Sequence, residues 1–165
     1  MYGFGLLLLA PLLSRLRLVA AAANCSQAAY RACNDIADSV PDDRVTFPLD
    51  LSYETEQDSY WSLALRDLRA ACIVFPETPE EAAAAIEVLA EYPGVPFTAK
   101  SGGHDPNVGH ATAKGGVVIS MARLTGTTYD ADTGLAYVRP GGEWNDVIAT
   151  LEEDGVTLVG GRLGQ

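Results

Sequence analysis

The apolar positions of this chain fall into short runs separated by polar, proline- and glycine-punctuated stretches, and the runs differ in period. In "SQAAYRACNDIA" (26–37) apolar residues recur at helical spacing behind Ser26, a good N-cap, and predict a helix. The stretch 41–62 is polar and broken by prolines, and reads as a loop that Tyr60 and Trp61 anchor on the core. "ACIVFP" (71–76) is a short, β-rich apolar run closed by proline, the pattern of a buried strand. In "TPEEAAAAIEVLAEYPG" (78–94) Thr78 caps a helix and Pro79 takes its first turn. Glu80 and Glu81 favour the positive helix end, and Pro93-Gly94 stop the helix. "VPFTAK" (95–100) is again a strand. Strand, helix and strand at this spacing predict a right-handed βαβ unit with a parallel pair. The segment after Lys100 then leaves the C-terminal end of a parallel strand, where open α/β sheets bind ligands.

Beyond that segment the rhythm changes. "GGVVISM" (115–121) reads as a strand, and 125–141 as a hairpin turning at Asp130 to Gly134. Residues 141–155 read as a helix with Trp144, Val147, Ile148 and Leu151 on one face and Gly155 at its end. The expected fold is α/β: a small parallel βαβ lobe, then the start of a second mixed lobe that stops short of closing at Gln165.

Composition narrows the class. At 165 residues, 48% hydrophobic and 20% charged, the chain has room for one globular domain with an ordinary core. A formal net charge of -11 repels phosphate backbones and anionic lipid, which disfavours nucleic-acid and membrane-surface partners. The run "GFGLLLLAPLL" (3–13), interrupted by Arg15 and Arg17 and followed by small residues near Ala21 to Ala23, is shorter than a membrane span. It reads as a secretory signal, ahead of the start of a buried helix. Asn24-Cys25-Ser26 is a glycosylation sequon at Asn24. Cys25, Cys33 and Cys72 have no metal-ligand spacing, so a secreted chain predicts one disulfide and one remaining thiol. Cys33–Cys72 is the expected pair, tying the N-terminal helix to the first lobe. The chain thus divides into a signal peptide (1–23), a helix-and-loop segment (24–67) and a ligand-binding domain (68–165).

The candidate chemistry sits in "KSGGHDPNVGHATAKGG" (100–116), which holds both histidines of the protein. Gly102 and Gly103 can adopt positive φ and let a ligand approach the backbone. Successive N–H groups in such a turn can form a concavity for a pyrophosphate, to which Ser101 adds a hydroxyl and Lys100 a charge. His104 at the loop tip is the right type for a nucleophile or general base. His110 at i+6 is a weak partner for a metal. From the residues alone a second reading stands beside this one, in which both histidines only hydrogen-bond to nearby backbone. No Rossmann, P-loop or nucleophile-elbow signature is present.

Several pieces in order carry a resemblance: "SYWS", "ACIVFPETPEEAAAAI", the Lys-Ser-Gly-Gly-His loop, the strand ending in a short polar-and-basic turn, "VRPGGEW" and the Gly160-Gly161 turn. Over roughly 41–165 the chain resembles the FAD-binding (PCMH-type) domain of berberine bridge enzyme-like and vanillyl-alcohol oxidase-type oxidoreductases. The resemblance implies that Lys100, Ser101, Gly102, Gly103 and His104 wrap the FAD pyrophosphate. It implies that His104 bonds through a ring nitrogen to the 8α-methyl carbon of the flavin, fixing it and raising its potential. Asp105, Gly109, Ser120, Gly160 and Gly161 are implied to line the same cofactor, with His110 left to loop structure. Where some relatives attach FAD a second time through a cysteine, Leu163 stands here, so single attachment is implied. Relatives continue past the position of Gln165 into the rest of the FAD site, a substrate domain and the catalytic residues. The implied activity is oxidation of a sugar, alcohol or secondary-metabolite intermediate, with oxygen as acceptor. The alternatives are a truncated, catalytically inactive secreted relative that binds FAD poorly or not at all, and a lectin-like or structural secreted domain.

Overall fold

A computed structural model of the protein describes residues 27–161. The signal peptide expected at 1–23, together with Asn24, Cys25, Ser26 and Leu163, lies outside the described residues. Along the chain come helix α1 (27–39), strand β1 (Val45–Thr46), helix α2 (Leu51–Asp58) and the single turn α3 (Leu63–Arg66). Strand β2 (Cys72–Val74), helix α4 (Pro79–Ala90) and strands β3 (Phe97–Lys100) and β4 (Val117–Ser120) follow. A 3-10 turn (Met121–Arg123), strands β5 (Thr127–Asp130) and β6 (Leu135–Val138) and helix α5 (Trp144–Glu152) complete the order.

The apolar run around β2 sets the architecture, because a strand sends successive side chains to opposite faces. Cys72 and Val74 enter a core shared with α1 and α4, through Ala29, Ala32, Ile36, Ala85 and Leu89. Ile73 and Phe75 enter a second core with Tyr53 of α2 and Ala113. β4 divides the same way: Val117 and Ile119 face the first core and Val118 the second. A run that is apolar at every position suits a strand covered on both faces. Burying each such side chain contributes roughly 1.5–3 kcal/mol relative to exposure. Cys33 and Cys72 form a disulfide with a Cα–Cα distance of 6.0 Å, fastening α1 to β2 as the sequence predicts.

The sheet order is β1-β2-β4-β3, with β1 antiparallel to β2 and the remaining pairs parallel. This differs from the simple parallel pair expected of the βαβ unit. β2 and β3 run parallel but do not touch, because β4 inserts between them. The burial patterns explain the order: β4 is buried at all four positions, whereas β3 alternates exposed and buried and takes the edge.

The segment 41–62 is likewise not a plain loop. It carries β1 and α2, and the buried positions of α2 are Tyr53, Glu56 and Gln57, a helical spacing written mostly in polar residues. Hydrophobic periodicity therefore gives no signal there. Tyr60 is buried as an anchor, but Trp61 is 56% exposed and does not reach the core.

The α4 start matches its sequence signals. Thr78 Oγ1 accepts from the Glu81 N–H at 3.2 Å, and Glu81 reaches back to the Glu77 N–H at 2.7 Å. The Glu77 N–H and then the Arg44 guanidinium hold the Glu81 carboxyl below its ordinary range. Thr78→Ala is expected to cost about 1 kcal/mol in urea unfolding; an unchanged midpoint would show that the cap contributes nothing.

The second lobe follows the expected hairpin and helix. Asp130 Oδ1 accepts from the N–H groups of Asp132 and Thr133 and closes the turn, with Gly134 at φ 70°. α5 buries Val147 and Leu151. A Cβ on Gly141 would stand 1.8 Å from the Met121 carbonyl oxygen, so the chain entering α5 passes against the turn after β4 with no room for a side chain.

Candidate functional site

β3 and β4 end level with each other, Lys100 paired in register with Ser120, so the segments that follow both strands emerge at one end of the sheet. The glycine loop leaves one strand there and the 3-10 turn the other. Across from them lies the entry to α5. Between these walls is a cleft of about 930 Å³, at the upper end of the roughly 300–1,000 Å³ typical of small-molecule sites. It is lined by Trp61, Lys100, Ser101, Gly102, Gly103, His104, Asp105 and His110 on one side and by Gly141, Gly142, Glu143, Trp144 and Gly161 on the other.

Beneath the loop the structure places a buried polar cluster. The Lys100 ammonium, 4% exposed, is 2.6 Å from Glu56 Oε1 and 2.8 Å from Ser59 Oγ. It also lies 4.7 Å from the centre of the Tyr60 ring, within cation–π range. Ser120 Oγ donates to the same Glu56 oxygen at 2.7 Å and accepts from the Ala122 N–H. The lysine that sequence offers to the ligand is thus held from below, and its stem forms the loop's floor. At Gly103, whose φ is 68°, a Cβ would lie 2.6 Å from Lys100 Cε. Burial, reinforced by the Glu56 carboxylate, pushes the Tyr60 phenol well above its ordinary value. It therefore stays protonated and donates to the Ala111 carbonyl. Thr98 Oγ1 donates to the His110 carbonyl at 2.6 Å, and Ser101 Oγ to the Pro140 carbonyl across the cleft.

So fastened, the loop keeps backbone N–H groups that its own fold leaves unpaired. Among the described residues, the N–H groups of Gly102, Gly103, His104 and Asp105 donate to no protein acceptor, and the space at the missing Cβ of Gly102 is open. The first turn of α5 also has no side-chain cap. Unpaired N–H groups at a glycine turn facing a helix N-terminus are a donor set for an anion. This donor set fits the pyrophosphate of a dinucleotide, and the volume of the cleft, about 930 Å³, leaves room for the groups it links.

His104 is exposed on the cleft. Trp61 Nε1 donates to its carbonyl at 3.2 Å, and the two rings lie 5.8 Å apart at 31°. His110 Nδ1 is 2.8 Å from Asp105 Oδ2. The Asn107 N–H, and then His110, hold the Asp105 carboxyl below its usual range. No cluster of three or more metal-ligating side chains occurs among the described residues.

Of the other sequence-derived site residues, Ser120 stands behind the lining, fully buried. Gly109 and Gly160 are not among the lining residues. Gly160 and Gly161 pass over Trp144, where a Cβ on either would fall 2.3 Å and 2.2 Å from the indole. Sequence reasoning missed Glu56 and Ser59; the one signal was the helical spacing of Tyr53, Glu56, Gln57 and Tyr60. It placed Trp61 in the core, and the structure places it beside His104.

Comparison with known proteins agrees with this geometry. The FAD binding domain family matches residues 70–162, more than half of the chain. An uncharacterized FAD-linked oxidoreductase of Arthroderma benhamiae is 39% identical over 120 residues, spanning 73% of this chain and 24% of that protein. The FAD-dependent monooxygenase sdcF of Emericella nidulans is 32% identical over 120 residues, 72% of this chain and 25% of that one. The chain thus spans about a quarter of the length of these relatives. Among solved structures, the BBE-like 1 protein of Physcomitrella patens superposes with a TM-score of 0.61 at 21% identity, over 76% of this chain and 26% of that one. 6-Hydroxy-D-nicotine oxidase of Arthrobacter nicotinovorans gives 0.58 at 22% identity, over 67% and 24%. Both likenesses concern the fold. The chain belongs to the FAD binding domain family.

Proposed function

We propose that this chain holds FAD in the cleft as the cofactor-binding part of an FAD-dependent oxidoreductase, with the flavin attached once, through His104. The observation that carries the reading is the row of unpaired N–H groups at Gly102 to Asp105, ending beside an exposed histidine at the C-terminal edge of a parallel sheet. Those N–H groups hold the pyrophosphate, and Gly102 lets it approach the backbone. The Lys100–Glu56 pair and Tyr60 keep the loop in shape from below, while Gly141, Gly142 and the start of α5 form the facing wall. His104 supplies the ring nitrogen that tethers the cofactor. When bound, FAD supplies a two-electron acceptor.

The substrate is a small molecule: a sugar, an alcohol or a secondary-metabolite intermediate. Dioxygen is the proposed acceptor, which the similarity to FAD-dependent monooxygenases supports. The protein is proposed to be secreted, a reading supported by the apolar run at 3–13 and by a disulfide of the kind oxidising compartments preserve.

The test is the intact mass of the denatured protein from a secreting host supplied with FAD, before and after deglycosylation. A gain of one FAD that disappears in His104→Ala is the expected result. A bare polypeptide mass in the presence of excess FAD would refute attachment.

A further inference from the structure

Trp61 is an anomaly of this surface. A large aromatic side chain left 56% exposed forgoes most of the burial free energy that its ring offers. It is nevertheless held in one place. Its neighbour Tyr60 is buried and bonded to Ala111, pinning the backbone, and Arg66 Nε donates to the Tyr60 carbonyl at 2.6 Å. From that pinned backbone the indole reaches across to the glycine loop. There it makes two separate contacts with one residue: the Nε1–H to the His104 carbonyl and the ring beside the His104 imidazole. Among the described residues, the His104 ring has no other partner, in contrast to the His110 ring, which Asp105 holds.

We infer that Trp61 is a positioning residue for His104: it fixes the backbone and ring of that histidine so that a ring nitrogen faces the bound cofactor. The inference rests on the proposed attachment of flavin at His104. In that step an N–C bond forms as the imidazole gives up its ring proton and one C–H bond of the 8α-methyl group breaks. Both protons and the electron pair pass to the flavin ring system, and dioxygen, reduced to hydrogen peroxide, restores the oxidised flavin. An imidazole free to rotate about two side-chain torsions meets the carbon in a small fraction of its orientations, so orientation enters directly into the rate.

The experiment compares the full chain with Trp61→Phe, Trp61→Ala and His104→Ala. Incubation with FAD is followed by intact mass for the rate of attachment and by equilibrium dialysis at early times for non-covalent affinity. The chain has two histidines and two tryptophans, so NMR of the imidazole C–H resonances reports His104 against His110 without any flavin. Trp61 also lines the cleft, so Trp61→Ala is expected to weaken non-covalent binding somewhat and to slow attachment at least tenfold more than it weakens binding. The His104 ring resonances should move out of the indole's ring current as those of His110 stay in place. Trp61→Phe, which keeps an aromatic face and loses the N–H, should recover part of the rate. Attachment to Trp61→Ala at the wild-type rate would overturn the inference and leave attachment at His104 standing. So would equal losses of rate and affinity together with displaced His110 resonances, which mark general disorder of the loop. A wild-type chain that gains no flavin, or an adduct that survives in His104→Ala, would overturn the attachment reading itself and this inference with it.

Discussion

Lys100→Met is expected to lower the stability of the folded chain by about 3–5 kcal/mol, the usual cost of removing one partner from a buried ion pair. The ammonium is 4% exposed and the Glu56 side chain 11%. Solvent therefore does little to compensate the carboxylate left behind, and Ser120 alone remains to hydrogen-bond the oxygen that now receives both donors. The methionine stem would still underlie Gly103, which isolates the loss of charge from the loss of volume. Glu56→Leu should be destabilising by the same mechanism, since it leaves the ammonium buried without its carboxylate. The double variant Lys100→Met with Glu56→Leu should recover much of the loss, since no buried charge then lacks a partner. Urea unfolding of the four proteins checks this. Additive losses in the double variant would mean that the two groups do not act as a pair.

Removing the Cys33–Cys72 disulfide is expected to cost about 4 kcal/mol, by the chain entropy released when a closed loop of this length is opened in the unfolded state. The bridged residues are 39 apart in sequence, and both are fully buried between α1 and the sheet. Replacing both by alanine avoids burying a hydroxyl, so the unfolding midpoint reports the lost cross-link and the small cavity together. A midpoint unchanged in the double alanine variant, or unchanged when the wild type is unfolded in the presence of a thiol reductant, would show that the bridge does not stabilise the fold.

Much of this fold is legible in the sequence because its signals are apolar and local. β2, α4, the 130–134 hairpin turn and α5 are written as runs, caps and turns that need no knowledge of distant residues. The Cys33–Cys72 disulfide is the preferred pairing because it ties the first helix to the lobe that β2 begins. What escapes is written in polar residues or in long-range pairing. α2 buries a glutamate that makes sense only beside Lys100, some forty residues away, and a glutamine that donates to the Arg66 carbonyl. The place of β4 between its neighbours depends on which strand is buried on both faces, and that is a property of the assembled sheet. At the site, sequence marks the glycine loop and His104. It is silent on Glu56 and Ser59, and it assigns Trp61 to the core because an aromatic residue beside Tyr60 ordinarily belongs there.

The position of β4 also bears on how the cradle comes into being. β2 and β3 cannot be joined into a sheet until residues 117–120 arrive between them, and the whole glycine segment, 101–116, lies in the connection that delivers those residues. Closing that connection and completing the sheet are one event, paid for by contacts between residues distant in sequence. An early chain containing β2, α4 and β3 alone would expose unpaired strand edges and hold no shaped cradle. The anion site and the parallel sheet therefore mature together, so capture of a ligand by the loop and commitment of the chain to its folded topology draw on the same late step.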